Sequence, residues 1–390
     1  MANFESGTNS ENSATKAGIY IHIPFCKQAC IYCNFHFSTS LKYKKELLNA
    51  MLLEIEMQRG YLEGKIISTI YFGGGTPSLL TADEINIIIE SIYKNYNVSA
   101  LEECTLEANP DDLSKEYIKG LNNTPVNRLS IGIQSFKEEG LLYMKRAHTA
   151  QQSDYSIKAA QDAGFTNLSI DLIYGIPNLT DKEWQQHIKL VEQMHIPHFS
   201  AYALTVEDKT ALHLAIQKKK TQPVDPGQAA TQFEILMEEA ALNGYEHYEI
   251  SNLSKPGKYA IHNTNYWKGV PYLGIGPSAH SFNGHSRKWN IANNTIYTQS
   301  LLTEKKIPHE EEQLTPTQQL NEYIMTSLRT MWGCDITYIQ HKWGESYSND
   351  IKSKAIKPID KELLTNINNQ LTLTGSGKLF ADRIASELFF

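Results

Sequence analysis

The sequence predicts an α/β chain: a partial (β/α)6 barrel, open on one side, followed by a small C-terminal helical, winged-helix-like domain. Three observations predict it. Six short β-prone runs alternate with amphipathic helical stretches, a pattern that argues for a parallel sheet with helices outside. Glycine or polar residues stand at the C-terminal end of nearly every run, and that rim is where β/α barrels assemble their sites. After about Asn252 the alternation stops, and glycine, asparagine and tyrosine become frequent.

The strand candidates are Gly18–Ile23, Ser68–Phe72, Glu103–Glu107, Arg128–Ile133, Asn167–Leu172 and Phe199–Ala203. Helical patterns lie between them, over roughly Lys42–Leu62, Ala82–Tyr93, Lys137–Lys145, Gln152–Ala163 and Asp181–Met194. Thr180 with Glu183 three residues on reads as a capping box for the last of these. Pro110-Asp111-Asp112-Leu113 reads as a further helix start. Lys218–Gly227 reads as a surface loop whose lysines form a solvated face, with a helix over Gln228–Leu242 behind it. The chain thus divides into a disordered leader (1–16), a core (17–252), a connecting region (253–314) and a small domain (315–390). In the last, Thr317–Met331 is helical and Leu371–Phe380 has a β-turn-helix pattern.

At 390 residues the chain buries a large core. Hydrophobic content of 41%, charged content of 20% and a net charge of -7 describe an ordinary globular protein with no nucleic-acid signal. No apolar run approaches the roughly 18 residues of a membrane span. The leader has no apolar segment of the secretory kind. Five cysteines, three of them in one loop, argue against a disulfide framework and fit a reducing cytoplasm.

Those three are Cys26, Cys30 and Cys33, spaced C-x3-C-x2-C directly after the first strand run. Three thiolates on one loop can hold three irons of a cubane cluster and leave the fourth iron open for chemistry. Structural zinc wants four closed ligands, and the second cysteine pair is missing. Four-cysteine ferredoxin spacing is missing too. Cys104 and Cys334 match neither pattern.

This motif resembles that of the radical SAM proteins. The resemblance implies a [4Fe-4S] cluster whose open iron is chelated by S-adenosylmethionine (SAM), which the reduced cluster cleaves to methionine and a 5′-deoxyadenosyl radical. Flavodoxin or ferredoxin would supply the electron. Gly73-Gly74-Gly75-Thr76-Pro77-Ser78 follows the second strand run. On its own it is compatible with a tight turn; within the resemblance Gly74, Gly75 and Thr76 bind the SAM ammonium. Glu107, Gln134, Arg146 and Asp171 continue the match. Arg146 suits the SAM carboxylate through its planar fork, Asp171 the ribose, and Ile173 and Ala203 the adenine. Tyr20 and Tyr32 flank the cysteine loop, a place suited to shielding it and equally to plain core aromatics.

Tyr20-Ile21-His22-Ile23-Pro24-Phe25-Cys26 and Ile170–Pro177 are similar to oxygen-independent coproporphyrinogen III oxidase and its relatives. The oxidase branch carries a fourth cysteine two positions after the third, and here that position is Phe35. The heme-chaperone branch, HemW, has instead a His-Asn-x-x-Tyr-Trp motif, present as His262-Asn263-Thr264-Asn265-Tyr266-Trp267. The resemblance therefore implies a protein that binds heme and hands it to heme-accepting proteins such as respiratory enzymes. Oxidation of coproporphyrinogen III is the alternative. His262 is the first candidate for heme contact, ahead of His280; a histidine can ligate iron, and tyrosine or tryptophan can stack on a porphyrin. Without the resemblance, the same residues read as a hydrogen-bonded loop histidine with aromatic packing.

Overall fold

A computed structural model describes residues 16–390. The leader expected over 1–16 lies outside the described residues except for Lys16, which opens the first strand. The six expected units form in order. They are β1 (Lys16–Ile23), α1 (Lys44–Met57), β2 (Ile66–Gly74), α2 (Ala82–Asn95), β3 (Glu103–Ala108), α3 (Lys115–Leu121), β4 (Arg128–Gln134), α4 (Glu138–Met144), α5 (Ala150–Asp162), β5 (Leu168–Tyr174), α6 (Asp181–Gln193) and β6 (His198–Ala203). Strands β1 to β6 pair in parallel with consecutive neighbours. Their buried, near-continuous apolar runs are those of a parallel sheet covered on both faces.

Local signals set the element ends. Thr81, Thr149 and Thr180 each close a capping box on α2, α5 and α6. On α6, Trp184, His187, Ile188 and Val191 form one buried stripe at helical spacing. The first helix ends at Met57, short of the expected Leu62, because the chain turns through Arg59-Gly60. Pro110–Asp112 is a single 3₁₀ turn, and the helix beyond it starts only at the Ser114 cap.

After β6 come α7 (Ala211–Gln217), which the sequence reading did not include, α8 (Pro226–Leu242), β7 (Glu246–Glu249), β8 (Asn252–Ser254) and α9 (Ile261–Trp267). The segment expected as a mere connection then builds β9 (Tyr272–Ile275), β10 (His280–Phe282), β11 (Ser286–Asn290), α10 (Asn294–Gln299) and β12 (His309–Gln313). β9 lies parallel to β1, and β10 to β12 continue antiparallel. The result is one open, mixed twelve-stranded sheet in the order β12-β11-β10-β9-β1-β2-β3-β4-β5-β6-β8-β7.

Glu54 on α1 locks the added strands to the barrel. Its buried carboxylate accepts from Gly276 N, Asn290 Nδ2, Gln58 Nε2 and the Tyr297 hydroxyl. Residues from Pro316 onward form a separate core around Leu320, Ile324, Ile351 and Leu371, with a three-stranded sheet at one side. Backbone bonds from Ile250 to Arg329 and from Met331 to Tyr248 join it to the barrel. Among the described residues, no helix is long and apolar enough to cross a membrane.

Candidate functional site

The cysteine loop leaves the C-terminal end of β1 and is held at several points. Cys26 N and Ser38 O bond at 3.0 Å, and Gly75 N reaches back to Ile23 O at 2.8 Å. Ile31 is bonded on both sides, to Met144 and Leu212. Lys27 pairs with Asp111 and Asp112 after β3. All three thiols are half-buried. Burial pushes the Cys26 thiol up to about 11, against a hydrogen bond from Thr76. Burial also raises Cys33. Among the described residues, no three ligating side chains converge on one metal-ion position. A cubane takes each thiolate on a different iron, so its ligands stand apart. Cys104 and Cys334 are core residues, both fully buried.

Arg146 arrives from the loop after α4 and touches the cysteine loop directly. Its Nη1 donates to Cys30 Sγ at 3.3 Å, and its Nη2 donates to Asn109 Oδ1 at 2.7 Å and Gly132 O at 3.0 Å. Burial works against its charge, but Tyr32 and Cys30 outweigh that and raise its pKa. Both Nη2 hydrogens are therefore engaged within the protein. Nη1 keeps a second hydrogen beyond the one given to Cys30, and Nε is buried with no partner. An unpaired buried donor is costly, and a carboxylate ligand would satisfy it.

The glycine run closes the next side. Gly74 has φ +104°, and a Cβ there would lie 2.6 Å from the His22 ring; one on Gly75 would lie 2.6 Å from Phe25 O. These glycines let the ends of β1 and β2 approach each other. The N–H of Gly74 donates to Glu107 Oε2 at 3.2 Å, and that of Gly75 is taken by Ile23. What the run offers an ammonium is carbonyl oxygen, the acceptor an ammonium needs. Thr76 is buried and accepts from Asn109 Nδ2 at 3.3 Å.

Glu107 ends β3. It accepts from the Tyr71 hydroxyl at 2.8 Å. Burial, with Asp171 adding, pushes its carboxyl up to about 7 although Tyr71 and Gly74 bond to it. Asp171 sits on β5, across from Ser200 of β6, and burial raises it to about 6. Ile173, two residues on and on the same face, pairs across to Tyr202 while Tyr174 pairs to Ala203. Gln134 ends β4 with φ +64°, where the β4–β5 register shifts. A non-glycine residue in that region costs about 1–3 kcal/mol, and such strain gathers at functional sites. Tyr20 stacks on Tyr71 at 6.1 Å and bonds His22 at 3.2 Å.

One rim thus brings together the cysteine loop, Tyr20, Tyr32, Gly74, Gly75, Thr76, Glu107, Gln134, Arg146 and Asp171. His262 does not join it as an open ligand. Its imidazole is buried, with Nδ1 bonded to Thr69 at 2.8 Å and Nε2 to Tyr266 at 2.8 Å. Neither nitrogen is left for iron, which corrects its expected place as first candidate. Its ring stacks on Tyr71 at 5.0 Å, one residue behind Glu107. His280, by contrast, is exposed. Tyr71, Asn109 and Thr69 were missed as functional positions. Asn109 lies in the polar strand end already noted, whereas Tyr71 and Thr69 read as ordinary strand residues.

The radical SAM superfamily model matches residues 20–191. The chain is 33% identical to the heme chaperone HemW of Bacillus subtilis over 94% of this chain and 97% of that protein. It is 34% identical to the heme chaperone HemW of Escherichia coli over 67% and 69%. Among solved structures, it superposes on the coproporphyrinogen III oxidase HemN of Escherichia coli with a TM-score of 0.81, at 20% identity, covering 98% of this chain and 93% of that one.

Proposed function

From the premise that this chain belongs to the HemW family of radical SAM proteins, we propose that it is a heme chaperone: it binds heme and delivers it to acceptor proteins. The observation that carries this reading over porphyrin oxidation is Phe35. It stands where the oxidase branch has its fourth cysteine, and its ring is 67% exposed, so no thiol stands at that place.

Cys26, Cys30 and Cys33 hold the [4Fe-4S] cluster in this reading, and the rim around Gly74, Glu107, Arg146 and Asp171 holds SAM. The cluster these thiolates would hold would supply one-electron reduction of SAM, with a flavodoxin or ferredoxin as the electron source. The protein residues bind and orient. Glu107 and the glycine carbonyls attract an ammonium, and Arg146 Nε offers a donor to a carboxylate. Asp171 accepts from ribose hydroxyls, and Ile173, on the same face of β5, gives adenine an apolar wall; Ala203, paired with Tyr174, faces the other side of the sheet and does not join it. Tyr20 and Tyr32 limit water at the cysteine loop. An oxygen-sensitive cluster and heme delivery to respiratory enzymes would suit a reducing cytoplasm in this reading.

The test is titration of the anaerobic protein with hemin, followed by transfer to an apo heme protein. Heme that binds and then moves supports the chaperone. Conversion of coproporphyrinogen III in the presence of SAM and reductant would put the oxidase in its place.

A further inference from the structure

Residues 26–45 carry four lysines, and no aspartate or glutamate before Glu46, in a chain of net charge -7. Two of these lysines have structural partners. Lys27 pairs with Asp111 and Asp112, and Lys44 pairs with Glu84. Lys42 and Lys45 are exposed and have no carboxylate partner among the described residues. Lys42 Nζ lies over the Tyr43 ring at 5.0 Å instead. The same stretch exposes three large apolar side chains, Phe35, Leu41 and Tyr43, at 67%, 46% and 58%. The surface belongs to the cysteine loop. Ser38 O accepts from Cys26 N at 3.0 Å, and Ser38 N donates to Pro24 O at 2.9 Å. Phe35 and Leu41 each stand three residues from Ser38, a reach of at most about 11 Å. Lys44 Nζ bonds to Leu79 O at 3.3 Å, just past the glycine run.

Folding does not account for these residues. Tyr43 is the N-cap residue of α1 and makes no side-chain cap bond. A serine, threonine or aspartate there would bond the free N–H groups of the first turn, as threonine does on α2, α5 and α6. Lys44 and Lys45 open α1, where the helix dipole favours acids. Lys44 is explained by Glu84, and Lys45 is not. An exposed aromatic at a cap and an unpaired lysine in the first turn both work against the helix. Places where a sequence breaks such local rules are where function is expected.

We propose that this surface is where a small, acidic, one-electron carrier protein docks, with Phe35, Leu41 and Tyr43 as the apolar centre and Lys42 and Lys45 as the steering charges. The proposal rests on the cluster reading of Cys26, Cys30 and Cys33. Contacts between electron-transfer proteins are small and transient, and matched charge raises their encounter rate. On a net-negative chain, an acid-free stretch with two unpaired lysines selects an acidic partner and seats it at the cysteine loop. One electron leaves the reduced carrier and enters the cluster; no bond forms or breaks.

The experiment uses the full-length, cluster-loaded, anaerobic protein, with reduced flavodoxin as the carrier and dithionite as the small-molecule control. Rapid mixing with freeze-quench EPR gives the rate at which the reduced cluster forms. Calorimetry at low ionic strength gives the binding of oxidised flavodoxin. The variants are Tyr43→Ser and the double variant Lys42→Glu/Lys45→Glu. Serine caps α1 and glutamate suits its first turn, so melting temperatures should hold or rise. Reduction by flavodoxin is expected to fall about tenfold in the charge variant and severalfold in Tyr43→Ser, with binding weakened in parallel. Dithionite should reduce all three proteins alike. High salt should slow the parent and narrow its lead over the charge variant. Parent-like binding and reduction by flavodoxin in both variants overturn the proposal. So does equal slowing with dithionite, or a parent that dithionite reduces and flavodoxin does not. Slower heme transfer to an apo heme protein, with unchanged reduction by flavodoxin, overturns it too and gives the face to the heme acceptor. A parent that assembles no cluster overturns the cluster reading beneath it.

Discussion

Tyr71 joins the carboxylate side of the rim to the histidine motif: its hydroxyl donates to Glu107 at 2.8 Å and its ring lies on His262 at 5.0 Å. The motif helix is fixed from the other side as well, since Glu103 of β3 accepts from the backbone N–H groups of Ile261 and His262. Its last residue, Trp267, carries Arg329 of the C-terminal domain over its ring at 5.5 Å. The motif is thus a strut between the barrel interior and the small domain.

Binding of SAM should depend on pH through Glu107. Its folded pKa, about 7 against an ordinary 4.5, means the empty protein favours the protonated acid. An ammonium prefers the carboxylate, so affinity should rise as pH climbs through about 7. Tyr71→Phe removes a donor to the charged form, so it should weaken SAM about two- to tenfold at pH 7 and move the midpoint upward. Calorimetry at constant cluster loading reads both. For the empty protein the stability sign is opposite. The protonated-state contribution is complete below about 4.5 and is lost as pH rises through about 7. Glu107→Gln should flatten that slope in denaturant melts.

Each of Cys26, Cys30 and Cys33 should be required for the broad visible absorbance of the anaerobically reconstituted protein. Serine in place of any one should abolish it. Cys104→Ala and Cys334→Ala should keep it, since both thiols lie in the core away from the loop. A full spectrum in Cys33→Ser would remove the basis of the cluster assignment.

Arg146→Ala should weaken SAM by roughly tenfold to a hundredfold, the worth of one charge-assisted bond. Because Nη1 also touches Cys30, the same variant should reconstitute its cluster less completely. Equal SAM affinity at matched iron content would exclude the assigned contact.

His262→Ala should bind heme as the parent does. It leaves the Thr69 and Tyr266 hydroxyls without their partner in a buried setting, at about 1–3 kcal/mol for each unsatisfied group. A lowered melting temperature with unchanged heme stoichiometry is the expected pair of results. Lost heme at unchanged stability would return the motif to the ligand set.

The rim was legible in the sequence because its chemistry is local. Three cysteines on eight residues, a triple glycine and isolated carboxylates after apolar runs stand out against strand composition. The Thr180–Glu183 box was equally legible, being a contact across three residues. β9 to β12 were not legible. β9 has only four residues, β10 to β12 are short and mostly polar, His309–Gln313 reads as a charged run, and only the partner strand β11 makes it a strand. The role of His262 was hidden for a related reason. Thr69, which bonds its ring, is 193 residues away, and no spacing rule connects the two.

The central claim is that this protein carries heme rather than making its precursor. The most direct measurement is heme-binding stoichiometry determined beside coproporphyrinogen III turnover, on the same anaerobic, cluster-loaded preparation with SAM and reductant. Stoichiometric heme, bound with or without SAM, and no protoporphyrinogen IX are expected. Formation of protoporphyrinogen IX would contradict the claim.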